Sequence, residues 1–227
     1  TSGGTEADNL AIRGSVAKLG VKNLLSSRIE HHAVLHTVEE LHHKQLVGLD
    51  FINLTNNGHI NMSHLQQLLD ERENAMVTLM HANNEIGNMI DIDSVGEMVH
   101  RANGLFHCDT VQTMGHYSFD LSKGNIDFLA GAGHKFNGPK GIGFIYINKK
   151  NRIVPEITGG SQEREMRGGT ENVYGIAGLA KALEIAYAEM DEHQTYIQGL
   201  KDYLKAQLIA EIPGIGFNGE TDADKSL

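Results

Sequence analysis

The feature that most restricts the fold of this chain is a repeated alternation between short apolar runs and longer stretches with helical spacing. The apolar runs predict strands, and the stretches between them predict helices. This alternation is typical of an α/β fold, in which a largely parallel sheet is covered by helices on both faces. The predicted strands are residues 23–29, 49–54, 75–80, 105–108, 127–130 and 142–147.

Helices are predicted between most of these strands and after the last one. Apolar spacing indicates helices over 7–19, 33–47, 63–72 and about 94–102, and a long, bent helical region over 173–209. Gly20 is the expected stop of the first helix. Ser63, and either Asp93 or Ser94, are the expected N-caps of the third and fourth helices.

Polar residues follow the predicted strands repeatedly, at the point where each strand ends. In a parallel sheet these positions meet at one edge, where the side chains that bind and react gather. One polar residue at a strand end carries little information, but several at successive strand ends are difficult to explain by helix capping. These residues are His31, Asn84, Asp109, Gln112, His134 and Lys135.

The opening residues Thr1–Glu6 read TSGGTE and lead directly into the first predicted helix. A loop of serine, glycine and threonine at a helix N-terminus presents backbone N–H groups to an anion at the positive end of the helix dipole. The alternative is an ordinary helix start with Glu6 in the first turn. Neither the P-loop spacing nor GxGxxG is present, so the loop does not favour a nucleotide.

The stretch Leu129–Lys140, LAGAGHKFNGPK, places Lys135 just past a predicted buried strand among residues with small side chains. Burial disfavours the ammonium form, so a lysine in a desolvated pocket can become nucleophilic enough to form a Schiff base with a carbonyl. The alternative for a lysine beside glycines is a solvated loop residue.

Together these parts match the needs of pyridoxal 5'-phosphate (PLP): an anion cup, a lysine, and a carboxylate beside the pyridine nitrogen. We assign the Gly4 N–H and Thr5 to the phosphate, Lys135 to the Schiff base and Asp109 to the pyridine nitrogen. Taken alone, Asp109 is equally well explained as the cap of a following helix.

Two further roles complete this assignment. His31 is the candidate for stacking on the cofactor ring, and Gln112 or Asn84 is the candidate donor to the ring oxygen. A surface position remains the alternative for His31, because the chain has 13 histidines.

Charge and cysteine content limit the function classes. The net charge of −10 disfavours nucleic-acid binding, and no apolar run is long enough to span a bilayer. Cys108 is the single cysteine, which fits a reducing compartment, and we expect a cytoplasmic location.

No metal site is predicted, because the histidine pairs are adjacent rather than one turn apart. His42 and His43 are expected mid-helix and solvated, and His100 and His107 are expected to be structural.

Six motifs make the chain resemble the cysteine desulfurases of the nitrogen-fixation and iron–sulfur-assembly type, within the class V aminotransferase family. They are TSGGTEADNLAI at 1–12, EHHAVL at 30–35, MHANNEIG at 80–87, HCDTVQTMG at 107–115, GHKFNGPKGIGFIY at 133–146 and GGSQEREMRGGTEN at 159–172. The resemblance implies the PLP-binding large domain of fold type I over residues 1–190 and the start of a smaller C-terminal domain over 191–227.

The family pattern assigns residues as the chemistry does. It implies the Schiff base at Lys135, ring stacking at His31, and Asp109 and Gln112 at the pyridine nitrogen and the ring oxygen. Lys135 and His31 are then the residues expected to move protons during catalysis.

The resemblance adds three roles that spacing alone does not give. It implies that Asn84 touches the cofactor or the substrate, that His134 lies beside the phosphate, and that Thr170 of a neighbouring subunit binds the phosphate. A homodimer is therefore expected. Without the resemblance, residues 166–172 are typical of a flexible Arg-Gly-Gly linker.

The implied reaction converts L-cysteine to L-alanine and passes the sulfur to an enzyme cysteine as a persulfide, for a sulfur acceptor or iron–sulfur scaffold protein. The family's persulfide cysteine, its substrate-carboxylate arginine and its N-terminal segment have no counterpart here, and Cys108 is expected to be a buried structural thiol. Ala132 stands in a stretch where the family commonly has a serine, so a phosphate-binding hydroxyl is expected to be missing.

Both ends of the chain, the loop at Thr1 and the polar stretch Asp222–Leu227, are typical of a segment cut from a longer protein. We therefore expect this chain to bind PLP but not to turn over cysteine. The alternatives are another class V enzyme, such as an aminotransferase or a selenocysteine lyase, and a non-catalytic fragment.

Overall fold

The computed structural model describes residues 1–220 and 226–227. Residues 221–225, which belong to the predicted second domain and to the polar end of the chain, lie outside the described residues.

The strands are β1 Asn23–Ser26, β2 Gly48–Phe51, β3 Ala75–Met80, β4 Leu105–Asp109, β5 Phe128–Ala132 and β6 Gly143–Ile147. The α-helices are α1 Gly4–Lys18, α2 His32–His43, α3 Met62–Glu71, α4 Ile92–Arg101, α5 Val173–Ala188 and α6 Met190–Glu211. Short 3₁₀ helices cover Leu121–Lys123, Gly133–Phe136 and Gln162–Glu165.

The six strands form one sheet in the order β2-β1-β3-β4-β5-β6. β1 to β5 pair in parallel, and β6 pairs antiparallel with β5. The predicted α/β fold with a largely parallel sheet is confirmed. The strand order reverses between β1 and β3, and the loops after β1, β3, β4 and β5 open at the same edge, where ligands bind in such sheets.

Helices cover both faces of the sheet. α1 and α2 bury one face, where Leu24 and Phe128 pack against Leu10 and Val34. α3, α4 and α5 bury the other face, where Phe106 is part of the core. All six residues of β3 are buried, as expected for a central strand covered on both sides.

The ends of several elements differ from the predicted ones. β1 and β2 stop at Ser26 and Phe51, short of the predicted 29 and 54, and β5 continues to Ala132. The stop of the first helix is confirmed, since α1 ends at Lys18 and Gly20 adopts a left-handed φ of 73°.

The predicted N-caps of α3 and α4 are wrong. Asn61 caps α3, with its side-chain oxygen accepting a hydrogen bond from the His64 N–H at 3.0 Å. Asp91 caps α4 in the same way, accepting from the Ser94 N–H at 3.1 Å. Both helices begin before Ser63 and Asp93 because an earlier Asn or Asp can already bond the first turn.

Asn61 and Ser63, at the start of α3, allow a direct test of which residue caps the helix. Replacing Asn61 by alanine should lower the free energy of unfolding by about 1 kcal/mol, because the cap bond is lost. Ser63→Ala is the matched control, since Ser63 is exposed inside α3. Urea unfolding measures both, and a larger loss in Ser63→Ala would contradict the observed cap.

The predicted long helical region is two helices, α5 and α6, which meet at Glu189. Both expose large apolar side chains, and Tyr174 is the extreme at 92% exposed. None of the helices in the described ranges is both long enough and apolar enough to cross a membrane.

Candidate functional site

The N-terminus of α1 lies against the loops that follow β4 and β5. A Cβ added at Gly4 would lie 2.5 Å from Val111 Cγ2 and 3.7 Å from Ala132 Cβ. The residues just before α1 are fixed to β6, because Thr1 and Gly143 exchange two backbone hydrogen bonds of 3.1 and 2.9 Å. The first turn of α1 is therefore held at the carboxyl edge of the sheet.

The close approach at Gly4 predicts that a side chain there is costly. Gly4→Ala should destabilise the fold by about 1 kcal/mol, because Val111 must move to admit the new methyl group. Gly3→Ala is the control, since nothing lies within 4 Å of a Cβ at that position. Thermal or urea unfolding of both variants tests the difference, and equal losses would contradict this packing.

The opening motif is a helix start with Glu6 in the first turn, and its role as an anion site stays a prediction. Glu6 accepts a hydrogen bond from the Ser2 N–H at 2.8 Å and another from Arg167 Nε at 3.0 Å. Although partial burial acts in the opposite direction, these bonds lower the pKa of Glu6 to about 2. Gly3, however, supplies no side-chain cap, so N–H groups of the first turn remain available to an anion beside the exposed Thr5.

The contact between Arg167 and Glu6 also anchors residues 166–172 to α1. These residues are therefore not the free linker that their composition alone indicates.

Asp109 ends β4 with a buried side chain. Its Oδ1 accepts a hydrogen bond from the Val111 N–H at 2.8 Å, which forms a local turn, and no helix follows it. Burial and the nearby Asp8 carboxyl raise the pKa of Asp109 to about 7, while Val111, His107 and His31 act in the opposite direction. The helix-cap alternative for Asp109 is therefore wrong.

His31 follows β1 and serves as the N-cap of α2. Its Nδ1 accepts a hydrogen bond from the Ala33 N–H at 3.1 Å, which places the ring proton on Nε2. The ring is exposed, and His31 is near enough to Asp109 to affect its charge. His31 thus combines a capping role with an exposed ring, whose centroid lies 6.3 Å from that of His32.

The two candidate donors to a ring oxygen lie in different environments. Asn84 is exposed, and its side-chain amide bonds to Glu85 Oε1 at 2.8 Å. Gln112 is half-buried in the turn after Asp109 and makes no hydrogen bond within the described ranges. The buried amide of this loop is the neighbouring Asn83, which joins the loops after β3 and β1 by bonding to the Ile29 carbonyl at 2.6 Å.

Lys135 and His134 lie in the 3₁₀ turn that follows β5, and both side chains are exposed. The turn is fixed by the buried Phe136, and the His116 ring contacts the Lys135 carbonyl at 3.4 Å. The predicted desolvated pocket around Lys135 is wrong for the described residues, because the short turn carries the side chain beyond the end of the strand.

Thr170 is not brought to the other candidates. It is exposed and lines a cleft of about 910 Å³ along β6, together with Thr1 and Arg167. No contact among the described residues joins Thr170 to Lys135 or Asp109. Its predicted role in a neighbouring subunit stays a prediction.

Two buried carboxyls near Asp109 were not predicted. Glu30 accepts a hydrogen bond from Ser27 Oγ at 2.7 Å, and burial raises the pKa of Glu30 to about 8. Asp8 lies on the buried side of α1, 3.4 Å from His107 Nε2. The available signal was an acidic residue in an otherwise apolar pattern, as at Asp8 among Ala7, Leu10 and Ala11 in the first helix.

The other histidines are largely structural. His100 pairs with Asp127 at 2.8 Å, and the fully buried His107 lies 2.8 Å from Thr78 Oγ1. His42 and His43 are exposed as predicted, but they end α2 rather than lying mid-helix.

One histidine pair contradicts the spacing on which the prediction of no metal site was based. His32 and His36 are one helical turn apart and stack with ring centroids 4.6 Å apart. Nevertheless, no group of three or more metal-ligating side chains occurs in residues 1–220 and 226–227.

Cys108 is fully buried, and burial raises the pKa of its thiol well above the usual value.

The groups at this edge fit PLP chemically. The free N–H groups of α1 suit a phosphate, the buried carboxylate of Asp109 suits a protonated pyridine nitrogen, and the amine of Lys135 suits an aldehyde. Asp109 Oδ2 makes no hydrogen bond within the described ranges, so it is available to such a donor.

Comparisons with known proteins agree with this geometry. All 227 residues match the family described as Aminotransferase class-V. The putative cysteine desulfurase IscS 1 of Bacillus subtilis (strain 168) is 39% identical over 230 residues, which cover 100% of this chain and 59% of that protein. A solved structure named NifS-like protein is 35% identical with a TM-score of 0.91, over 100% of this chain and 62% of that one.

A further solved structure, SspA in complex with cysteine, is 35% identical with a TM-score of 0.75, over 81% of this chain and 54% of that one. The chain therefore spans less than two thirds of the length of each of these relatives.

Proposed function

Because this chain belongs to the class V aminotransferase family and is homologous to cysteine desulfurases, we propose that it forms the PLP-binding part of such an enzyme. The proposed reaction converts L-cysteine to L-alanine and transfers the sulfur to a cysteine thiol, which becomes a persulfide. The observation that carries the proposal is the meeting of Asp109, His31 and Lys135 with the start of α1 at one edge of the sheet.

PLP, when bound, withdraws electrons from the reacting carbon of the substrate. In the proposal, Asp109 holds the proton of the pyridine nitrogen, and the first turn of α1 binds the phosphate through Gly4 and Thr5. The Lys135 amine tethers the cofactor and, with His31, moves protons to and from the substrate. His31 also orients the ring by stacking.

The remaining assignments stay part of the proposal. Gln112 donates to the ring oxygen, Asn84 contacts the cofactor or substrate, and His134 lies beside the phosphate. Thr170 supplies a further phosphate contact from the partner subunit of a homodimer. The apolar side chains exposed on α5 and α6 support an association of this kind.

The sulfur acceptor must be a cysteine other than Cys108, because Cys108 is the only cysteine among the 227 residues and it is fully buried. A thiol with a raised pKa in the core is also a poor nucleophile.

We further propose a division into a large domain over 1–190 and a smaller domain beginning at 191, which is supported by the helix break at Glu189. A sulfur acceptor or iron–sulfur scaffold is the proposed protein partner.

The full-length protein tests this function. Incubated with PLP, L-cysteine and a reductant, it should release alanine and sulfide in equal amounts. Amino transfer to a 2-oxo acid without sulfur release, or activity on selenocysteine alone, would contradict the proposal. The 227-residue chain by itself should form no alanine, and alanine production by it would show that no further cysteine is needed as the acceptor.

A further inference from the structure

One buried polar contact is required neither by packing nor by the proposed reaction. Asp8 Oδ1 and His107 Nε2 lie 3.4 Å apart, and their side chains are 1% and 0% exposed. Within residues 1–220 and 226–227, neither atom has a hydrogen-bond partner. Burying polar groups in this way costs free energy, so an apolar pair would hold α1 on the sheet at least as well.

The contact lies between the two ends of the candidate cofactor site. His107 and Asp109 are two residues apart on β4, so their side chains lie on the same face of the sheet. Asp8 is one turn after Gly4 and Thr5 on α1. Thr78 faces His107 across β3 and β4, and its Oγ1 lies 2.8 Å from His107 Nδ1. Thr78 therefore holds the Nδ1 side of the imidazole, and Nε2 faces Asp8.

Burial acts against the charged form of both partners. It raises the pKa of Asp8 well above the usual value and lowers the pKa of His107 to about 4. The contact is thus a pair of uncharged groups rather than a salt bridge. The titratable groups around Asp109 are Asp8 from α1, Glu30 after β1, His31 at the start of α2, and His107 and Cys108 from its own strand.

We propose that Asp8 and His107 are positioning residues of the cofactor site, because their contact holds α1 against β4. This contact fixes the distance and angle between the phosphate-binding first turn of α1 and the Asp109 carboxylate. This inference rests on the proposed function, because it requires one PLP molecule to bind both groups.

The decisive variant makes the pair apolar in the full-length protein. Asp8→Leu/His107→Phe should lose urea-unfolding stability only to the extent that the buried Thr78 hydroxyl loses its partner, and adding Thr78→Val should remove that loss. The dissociation constant of the double variant for PLP should nevertheless rise roughly tenfold or more, as is typical when a group that orients a ligand-binding residue is lost. Ser15→Ala is the control, because Ser15 is another buried, unpartnered polar residue of α1.

A pH profile and a conservative variant separate positioning from a merely structural role. Burial keeps His107 uncharged above about pH 4, so His107→Phe removes a positioning contact and no charge, and PLP affinity should fall by the same factor at pH 6 and at pH 8. His107→Gln, which keeps a polar nitrogen near the Nε2 position, should restore most of the affinity.

The outcomes distinguish the two proposals. Absence of PLP binding by the wild type would contradict both. Wild-type PLP affinity in the double variant, or an equal loss in Ser15→Ala, would overturn the positioning role alone. If the double variant does not fold, equal PLP affinity of His107→Phe and His107→Gln would overturn the positioning role.

Discussion

Replacing Lys135 by alanine is expected to abolish the covalent attachment of PLP. Lys135 is the lysine that the 3₁₀ turn after β5 presents at the edge of the sheet that also carries Asp109. After reduction with borohydride, peptide mass spectrometry of the wild type should find the cofactor on Lys135. The variant should show no labelled peptide and no visible absorbance band of lysine-bound PLP.

The chain contains a close control for this experiment. Lys140 is also exposed, in the same loop and five residues later. Lys140→Ala should retain the labelled Lys135 peptide, because no candidate site residue depends on Lys140. Label on Lys140, or on any lysine in the Lys135→Ala variant, would show that the assignment of the attachment site is wrong.

Without PLP, the chain is expected to lose about 2 kcal/mol of unfolding free energy as the pH rises from about 6.5 to about 8. Burial raises the pKa of Asp109 to about 7 and that of Glu30 to about 8, so the folded chain holds protons that the unfolded chain has released. Stability therefore falls with rising pH through this window. His81 and His107, whose pKa burial lowers to about 4, act in the opposite direction, but only below the pKa of about 6.5 of an unfolded histidine.

Urea unfolding at the two pH values measures this loss. The Asp109→Asn/Glu30→Gln double variant should reduce the slope, because it no longer buries these two ionisable groups, and the raised pKa of the buried Asp8 accounts for the slope that remains. Glu171→Gln, at an exposed position, is the control and should leave the slope unchanged. A wild-type slope in the double variant would show that other groups control the pH dependence.

The sheet and much of the site were predictable because they depend on short-range patterns. The six-residue run Ala75–Met80 was predicted with its observed bounds, since a short, almost unbroken apolar run is typical of a strand buried on both faces. The polar residues after the strands were found because parallel strands bring their carboxyl ends to one edge. Their order along the chain, from His31 to Lys135, follows from the same rule.

What was missed depends on three-dimensional packing. The caps at Asn61 and Asp91 lie just before the residues chosen from sequence, because several polar residues compete at each helix start. The exposure of Lys135 follows from a 3₁₀ turn whose geometry the glycines permit but do not specify. The contact between Asp8 and His107 joins residues 99 positions apart in the chain, a separation at which local patterns carry no information.

The hydrogen bonds between Thr1 and Gly143 have a consequence for the order of folding. During synthesis from the N-terminus, α1 emerges before β5 and β6, which complete its docking surface more than a hundred residues later. Until then the cluster that holds Leu10 and Ile12 lacks Phe128. The anchoring of α1 is therefore complete only after β6 is made, and such non-local closure is typical of slow-folding domains. Under the proposed function, phosphate binding at the start of α1 is consequently expected late in the folding of the newly made chain.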